Sequence, residues 1–185
     1  MGDKLFVSAE QFLLDSFRLA KRVHSSGFRP DFLIGIWRGG TPVGIVVHEY
    51  LKWKGLDPFH TAIKTESYTG AGKRGLVDVS GVEPVLRMMS TLNRPSKVLL
   101  VDDVFDTGRS MKKVIDLLNA GARHEPEVRM ATVYFKPKGN QTSLKPDFYL
   151  HEADAWIVFP HEIVELTPEE LAEKDGPLSE LLSEH

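Results

Sequence analysis

An open, mainly parallel twisted α/β sheet flanked by helices is the fold that this 185-residue sequence predicts. Three observations predict it. Lys97-Val98-Leu99-Leu100-Val101-Asp102 is a nearly unbroken apolar run bounded by turns, which marks a strand buried on both faces and hence a parallel sheet. Further strand-like runs, over 31–36 and 128–135, alternate with amphipathic helical stretches. Glycine-containing turns punctuate the alternation, at Gly39-Gly40, Gly108 and Gly121.

Each element has a local reason. Ser8-Ala9-Glu10-Gln11 has the form of a capping box. Phe12, Leu13, Phe17, Leu19, Ala20 and Val23 follow at helical spacing. Gly27 stops that helix and Pro30 prevents its resumption. A buried strand over 31–36 comes next, then the turn Trp37-Arg38-Gly39-Gly40-Thr41, a helix over 42–54 and a strand over 59–64. Residues 66–82 hold Gly70, Gly72, Gly75 and Gly81 with little apolar content. A loop of that length reads as a lid or binding loop. A helix over 84–92 precedes the strand over 97–102, and the amphipathic helix over 108–120 is closed by Gly121. After the strand over 128–135, residues 136–160 break the rhythm with three prolines and Gly139, and read as a small hood over the sheet. Thr167 as N-cap, Pro168 at the first helical position and Glu170 at the third start a short acidic helix, interrupted at Gly176-Pro177. The expected organisation is one domain over 1–185, with a core at 1–135, a hood at 136–165 and an acidic tail at 166–185. Length alone agrees, at roughly 150 residues per domain.

Composition narrows the function. Hydrophobic residues make up 42 % and charged residues 26 %, as in ordinary globular chains. The absence of cysteine excludes disulfide scaffolds, thiolate metal sites and cysteine nucleophiles. No apolar run approaches the ~18 residues of a membrane span. The N-terminus has no secretory apolar segment, so a cytoplasmic location is expected. Net charge is −3. From His161 onward, eight acidic residues and one Lys give −7, which leaves the first 160 residues at +4. A mildly basic body with an acidic tail suits a small polyanionic ligand better than nucleic acid. The histidines are scattered, and His48-Glu49 lacks the second His of a zinc-protease helix.

The chemistry concentrates in Val101-Asp102-Asp103-Val104-Phe105-Asp106-Thr107-Gly108-Arg109-Ser110, between a buried strand and a helix. Free N–H groups at a helix start attract anions, and Thr107, Arg109 and Ser110 add donors. Gly108 lets the backbone approach closely or take positive φ. The turn is therefore a one-phosphate cup. Asp102 and Asp103 make sense beside it if the ligand also presents hydroxyls, because an ionised carboxylate is acceptor-only and suits a vicinal diol. A ribose 5-phosphate has both parts. Asp106 is close enough to accept a proton. Upstream, Gly35 and Gly40 have phosphate-loop spacing, but Thr41 stands where that motif needs Lys. Arg38 offers a forked cationic donor set there.

This acidic stretch with its Asp-Thr-Gly-Arg-Ser turn resembles the donor loop of the type I phosphoribosyltransferases, and the resemblance covers about residues 32–162. It implies that Asp102 and Asp103 bind ribose hydroxyls, and that 106–110 hold the 5′-phosphate of 5-phosphoribosyl 1-pyrophosphate. Trp37-Arg38-Gly39-Gly40 resembles the family's pyrophosphate loop, in which an often cis peptide precedes the glycines. Ser67 and Tyr68 resemble the Ser-Tyr pair of the closing loop of 6-oxopurine members. Lys136 matches the lysine that contacts O6, Trp156 the aromatic that stacks on the purine, and Ile157 a backbone contact to the base edge. The implied reaction is phosphoribosyl transfer to N9 of xanthine, guanine or hypoxanthine, with Asp106 and Arg38 as the catalytic groups. Mg²⁺ is the implied cofactor, near Asp103 through water and near Glu162. The implied partners are the sugar donor and a purine base, with no nucleic acid and no membrane, in a homodimer or homotetramer. Two alternatives stand beside it: a phosphoribosyltransferase for adenine or orotate, and a non-catalytic regulator that senses the donor.

Overall fold

The structure, a computed structural model, describes residues 4–67, 77–164 and 166–183. In chain order its elements are β1 (Lys4–Phe6), α1 (Ala9–Ser25), β2 (Phe32–Trp37), α2 (Gly40–Trp53), β3 (Phe59–Ser67), β4 (Val77–Ser80), α3 (Val82–Met89), β5 (Lys97–Phe105), α4 (Arg109–Gly121), β6 (Glu127–Phe135), β7 (Phe148–Glu152), β8 (Trp156–Val158), α5 (Pro168–Lys174) and α6 (Gly176–Ser183). The chain divides into a large unit, Asp15–Asp154, and a small one formed by Met1–Leu14 with Ala155–His185.

The large unit carries a six-stranded sheet in the order β4-β3-β2-β5-β6-β7. Every pairing is parallel except that of β4 on β3. The strand made by the apolar run, β5, lies inside the sheet, and Val98, Leu99, Leu100 and Val101 are fully buried. Successive strand residues point to opposite faces. Ile34, Ile36, Ile63, Val98 and Leu100 therefore form one core with Val85 of α3 and Val114 and Leu118 of α4. On the other face α2 packs on β2, where a Cβ on Gly44 would lie 3.6 Å from Leu33 Cδ2. The helices α3 and α4 touch closely, and a Cβ on Gly121 would come within 2.4 Å of Leu86 Cδ1.

The small unit is a two-stranded parallel pair, β1 with β8, and the tail helices. Ser8 Oγ accepts the Gln11 N–H at 3.1 Å, as the cap sequence predicts. Both halves of the second capping box are present, from Thr167 and Glu170. Lys4 pairs with Glu170 at 2.6 Å. Lys174 Nζ donates to the carbonyls of Phe159, Pro160 and Glu162, so α5 is tied to that turn.

Three readings differ from what is found. Residues 136–160 do not form only a hood: Phe148–Glu152 extends the main sheet beside β6, and Asp147 Oδ2 accepts the Met130 N–H at 2.8 Å. Five residues bracketed by polar loops carry too little periodicity to show this. The strand over 97–102 runs on to Phe105, so both acidic residues of the pair lie on the strand. The loop over 66–82 is partly regular, with Lys64–Ser67 paired antiparallel to Val77–Ser80. The lid reading falls on 68–76, outside the described residues.

Candidate active site

Three segments of the large unit leave the carboxyl ends of the adjacent parallel strands β2, β5 and β6. That is the edge where open α/β sheets bind ligands. The first segment is the turn from Asp106 into α4. Gly108 has φ +75°, and a Cβ there would meet Phe105 Cζ at 2.6 Å and Thr142 Oγ1 at 2.7 Å. Both conformation and space therefore demand glycine. Beyond it the 13-residue helix α4 begins at Arg109, whose N–H donates to Thr107 Oγ1 at 3.4 Å, and N–H groups of a first helical turn lack partners within the helix and can take an anion. Thr107 and Ser110 are half-buried and Arg109 is exposed.

The acidic pair lies on the last turn of strand before that cup. Asp102 Oδ1 accepts the Asp103 N–H at 3.0 Å, and Asp103 Oδ1 accepts the Val104 N–H at 2.7 Å. The two carboxylates press on the second segment, the glycines between β2 and α2. A Cβ on Gly39 would lie 1.8 Å from Asp103 Oδ2, and one on Gly40 would lie 2.3 Å from the Val101 carbonyl oxygen. The Gly40 backbone also hydrogen-bonds Asp102. Burial first, and then the charge of Asp103, push the Asp102 carboxyl well above its ordinary value. The Trp37–Arg38 peptide bond is cis, the Thr41 N–H closes on the Arg38 carbonyl at 3.0 Å, and Arg38 is exposed.

The third segment starts at Lys136. Its N–H donates to the Phe105 carbonyl at 2.9 Å, and its ammonium meets Asp106 Oδ2 at 2.9 Å. The lysine is largely covered and the carboxylate is half-exposed. This pairing did not follow from the sequence, where the partners stand 30 residues apart.

The structure thus brings together Arg38, Gly39, Asp102, Asp103, Asp106, Thr107, Gly108, Arg109, Ser110 and Lys136 within one unit. Ser67 ends β3, and Tyr68 lies outside the described residues. Trp156 and Ile157 belong to β8 of the small unit, the first 53 % exposed and the second buried. In the same unit Glu162 Oε2 accepts the Phe159 N–H at 3.0 Å. No group of three or more His, Asp or Glu among the described residues is arranged to hold a metal.

Residues 6–164 match the phosphoribosyl transferase domain family. The chain belongs to the phosphoribosyltransferase family. This phosphoribosyltransferase is 28 % identical over 149 residues to the hypoxanthine-guanine phosphoribosyltransferase of Lactococcus lactis, which covers 79 % of this chain and 74 % of that one. It is similar to the crystal structure of a purine phosphoribosyltransferase from Pyrococcus horikoshii, with a TM-score of 0.66 at 26 % identity over 89 % of this chain and 97 % of that one. It shares its fold with the xanthine-guanine-hypoxanthine phosphoribosyltransferase of Helicobacter pylori, with a TM-score of 0.64 at 24 % identity over 85 % and 92 % of the two chains. The open, mainly parallel sheet expected of the phosphoribosyltransferase is the one found.

Proposed function

We propose that this enzyme transfers a 5-phosphoribosyl group from 5-phosphoribosyl 1-pyrophosphate to N9 of a 6-oxopurine, for purine salvage. The observation that carries the choice of base is the Lys136–Asp106 pair, set at the ends of adjacent strands β5 and β6. An ammonium is donor-only and a carboxylate acceptor-only. Together they match the O6 acceptor and the N7–H donor along one edge of a 6-oxopurine. Adenine would turn its amino group toward the ammonium.

In this mechanism α4 and the turn before it hold the 5′-phosphate, and the acidic pair takes the ribose hydroxyls. Arg38 and the N–H groups around Gly39 face the pyrophosphate. The N9 lone pair attacks C1′ while the C1′–oxygen bond breaks, its electron pair leaving with pyrophosphate. The N7 proton passes to Asp106, and the carboxylates stabilise the oxocarbenium-like charge at C1′. The 6-oxo group draws Lys136 away from Asp106, so the base that binds also frees the group that takes its proton.

Asp102 and Asp103 stand next to each other near the end of β5, and carboxylate oxygens are the hard donors that a divalent cation takes. Mg²⁺ commonly uses one or two carboxylates plus substrate phosphates, so Asp102 and Asp103, directly or through water, would hold it. Bound there, it offsets the charge of the leaving pyrophosphate. We read the enzyme as a cytoplasmic homo-oligomer. Among the described residues no helix is long and apolar enough to cross a membrane.

Competition among guanine, hypoxanthine, xanthine, adenine and orotate tests the reading. Turnover of one or more 6-oxopurines above adenine and orotate is expected. Preference for adenine or orotate would remove the role given to Lys136.

A further inference from the structure

Residues 139–144 form a knot against the phosphate cup that neither the sequence motifs nor the mechanism uses. The Asn140 side chain organises it. Its Nδ2 donates to the Leu144 carbonyl at 2.7 Å. Its Oδ1 accepts both the Thr142 N–H and the Thr142 hydroxyl, each at 2.9 Å. Thr142 Oγ1 in turn accepts the Leu144 N–H at 3.2 Å. Leu144 packs against the main core, so the knot is anchored from below.

The knot touches the cup at three points. The Gln141 N–H donates to the Thr107 carbonyl at 3.0 Å. Thr142 Oγ1 lies 2.7 Å from where a Cβ on Gly108 would stand, and Gly139 has its own Cβ position 2.2 Å from Asp106 Oδ1. Asp106, Thr107 and Gly108 are thus each met by a consecutive part of 139–142. Lys136 donates its own N–H to the Phe105 carbonyl at the end of the β6 ladder, and its carbonyl accepts the Gly139 N–H at 3.1 Å.

We infer that Asn140 and Thr142 are positioning residues for the sugar-phosphate cup. The knot fixes the Thr107 carbonyl and the Gly108 backbone, and through them aims the first N–H groups of α4 at the phosphate. The inference deepens the proposed function and rests on it. Because Gln141 and Thr142 meet Thr107 and Gly108, while Lys136 keeps its own N–H bond to Phe105, loosening the knot at Asn140 or Thr142 acts more on the donor side than on the base side.

The test is a set of three variants, Asn140→Ala, Thr142→Val and Thr142→Ser, with Michaelis constants measured separately for donor and base and with thermal midpoints. Misplacement of about 1 Å at a reacting site can cost up to roughly a hundredfold in rate. We expect the donor KM to rise at least about tenfold in Asn140→Ala and Thr142→Val, with the base KM within about threefold. Thr142→Ser keeps the hydroxyl and restores the donor KM. An unchanged donor KM, an equal rise in both constants, or a Thr142→Ser variant as impaired as Thr142→Val would overturn the assignment. If the native chain turns over no purine, the proposed function fails by itself. Calorimetric binding of ribose 5-phosphate to the same variants then decides the cup: weakening in Asn140→Ala and Thr142→Val alone supports it, and equal or absent binding throughout overturns it.

Discussion

Asp106 is tied to Lys136 at 2.9 Å, and that single pairing sets what each residue can do. Replacing Asp106 by Asn keeps the shape and removes the proton acceptor. General base groups contribute about 10²–10⁴-fold. The Asp106→Asn variant is therefore expected to lose kcat by about that factor while donor affinity changes little, as steady-state kinetics and donor titration would show. Asp102 gives a second prediction at this scale. The fold pushes its carboxyl up from 3.8, so the native chain keeps a proton that the unfolded chain releases near that value. Stability from this group is full below the unfolded value and is lost as pH rises through the folded one. Melting temperatures of the native chain and Asp102→Asn should therefore diverge in favour of the variant as pH rises from about 4. A constant offset across that range would contradict the assigned burial.

At the scale of elements, β5, α4 and the cup between them were legible because their signals are local and dense. An apolar run, a glycine with φ +75° and a helix start lie within one short stretch. The first residues of β7 and the pair β1–β8 were not legible. Strands of three to five residues make no periodicity, and their pairing partners are remote in sequence. The same limit hid the Asp103–Gly39 contact and the knot at Asn140: each depends on which strand ends the topology sets side by side. Gly39 tests that juxtaposition between the β2–α2 turn and β5. A methyl there would lie 1.8 Å from Asp103 Oδ2. Overpacking of this kind costs about 1–3 kcal/mol. Gly39→Ala should lower both the unfolding midpoint and turnover, and Gly27→Ala offers the contrast, since its Cβ position at φ +81° meets nothing within 4 Å. That second variant should lose some stability from backbone strain and keep its kinetics.

Across the whole molecule, the parallel sheet does the gathering. β2, β5 and β6 lie side by side and point the same way, so a glycine turn, an acidic strand end with the helix start that follows it, and a lysine arrive at one edge from three distant parts of the chain. Family membership agrees with that arrangement over residues 6–164. The acidic tail is pinned within the small unit by Lys174 on three carbonyls and by Glu170 on Lys4. Its negative charge is thus partly spent on structure. The most direct test of the account is a crystal structure of the chain with a 6-oxopurine nucleoside monophosphate. The account predicts the 5′-phosphate on the N–H groups from Thr107 to Ser110, the ribose hydroxyls facing the acidic pair at 102 and 103, and the 6-oxo group on Lys136 with the Lys136–Asp106 pair opened. A nucleotide whose phosphate sits away from that helix start, or one bound with the Lys136–Asp106 pair still closed, would contradict it.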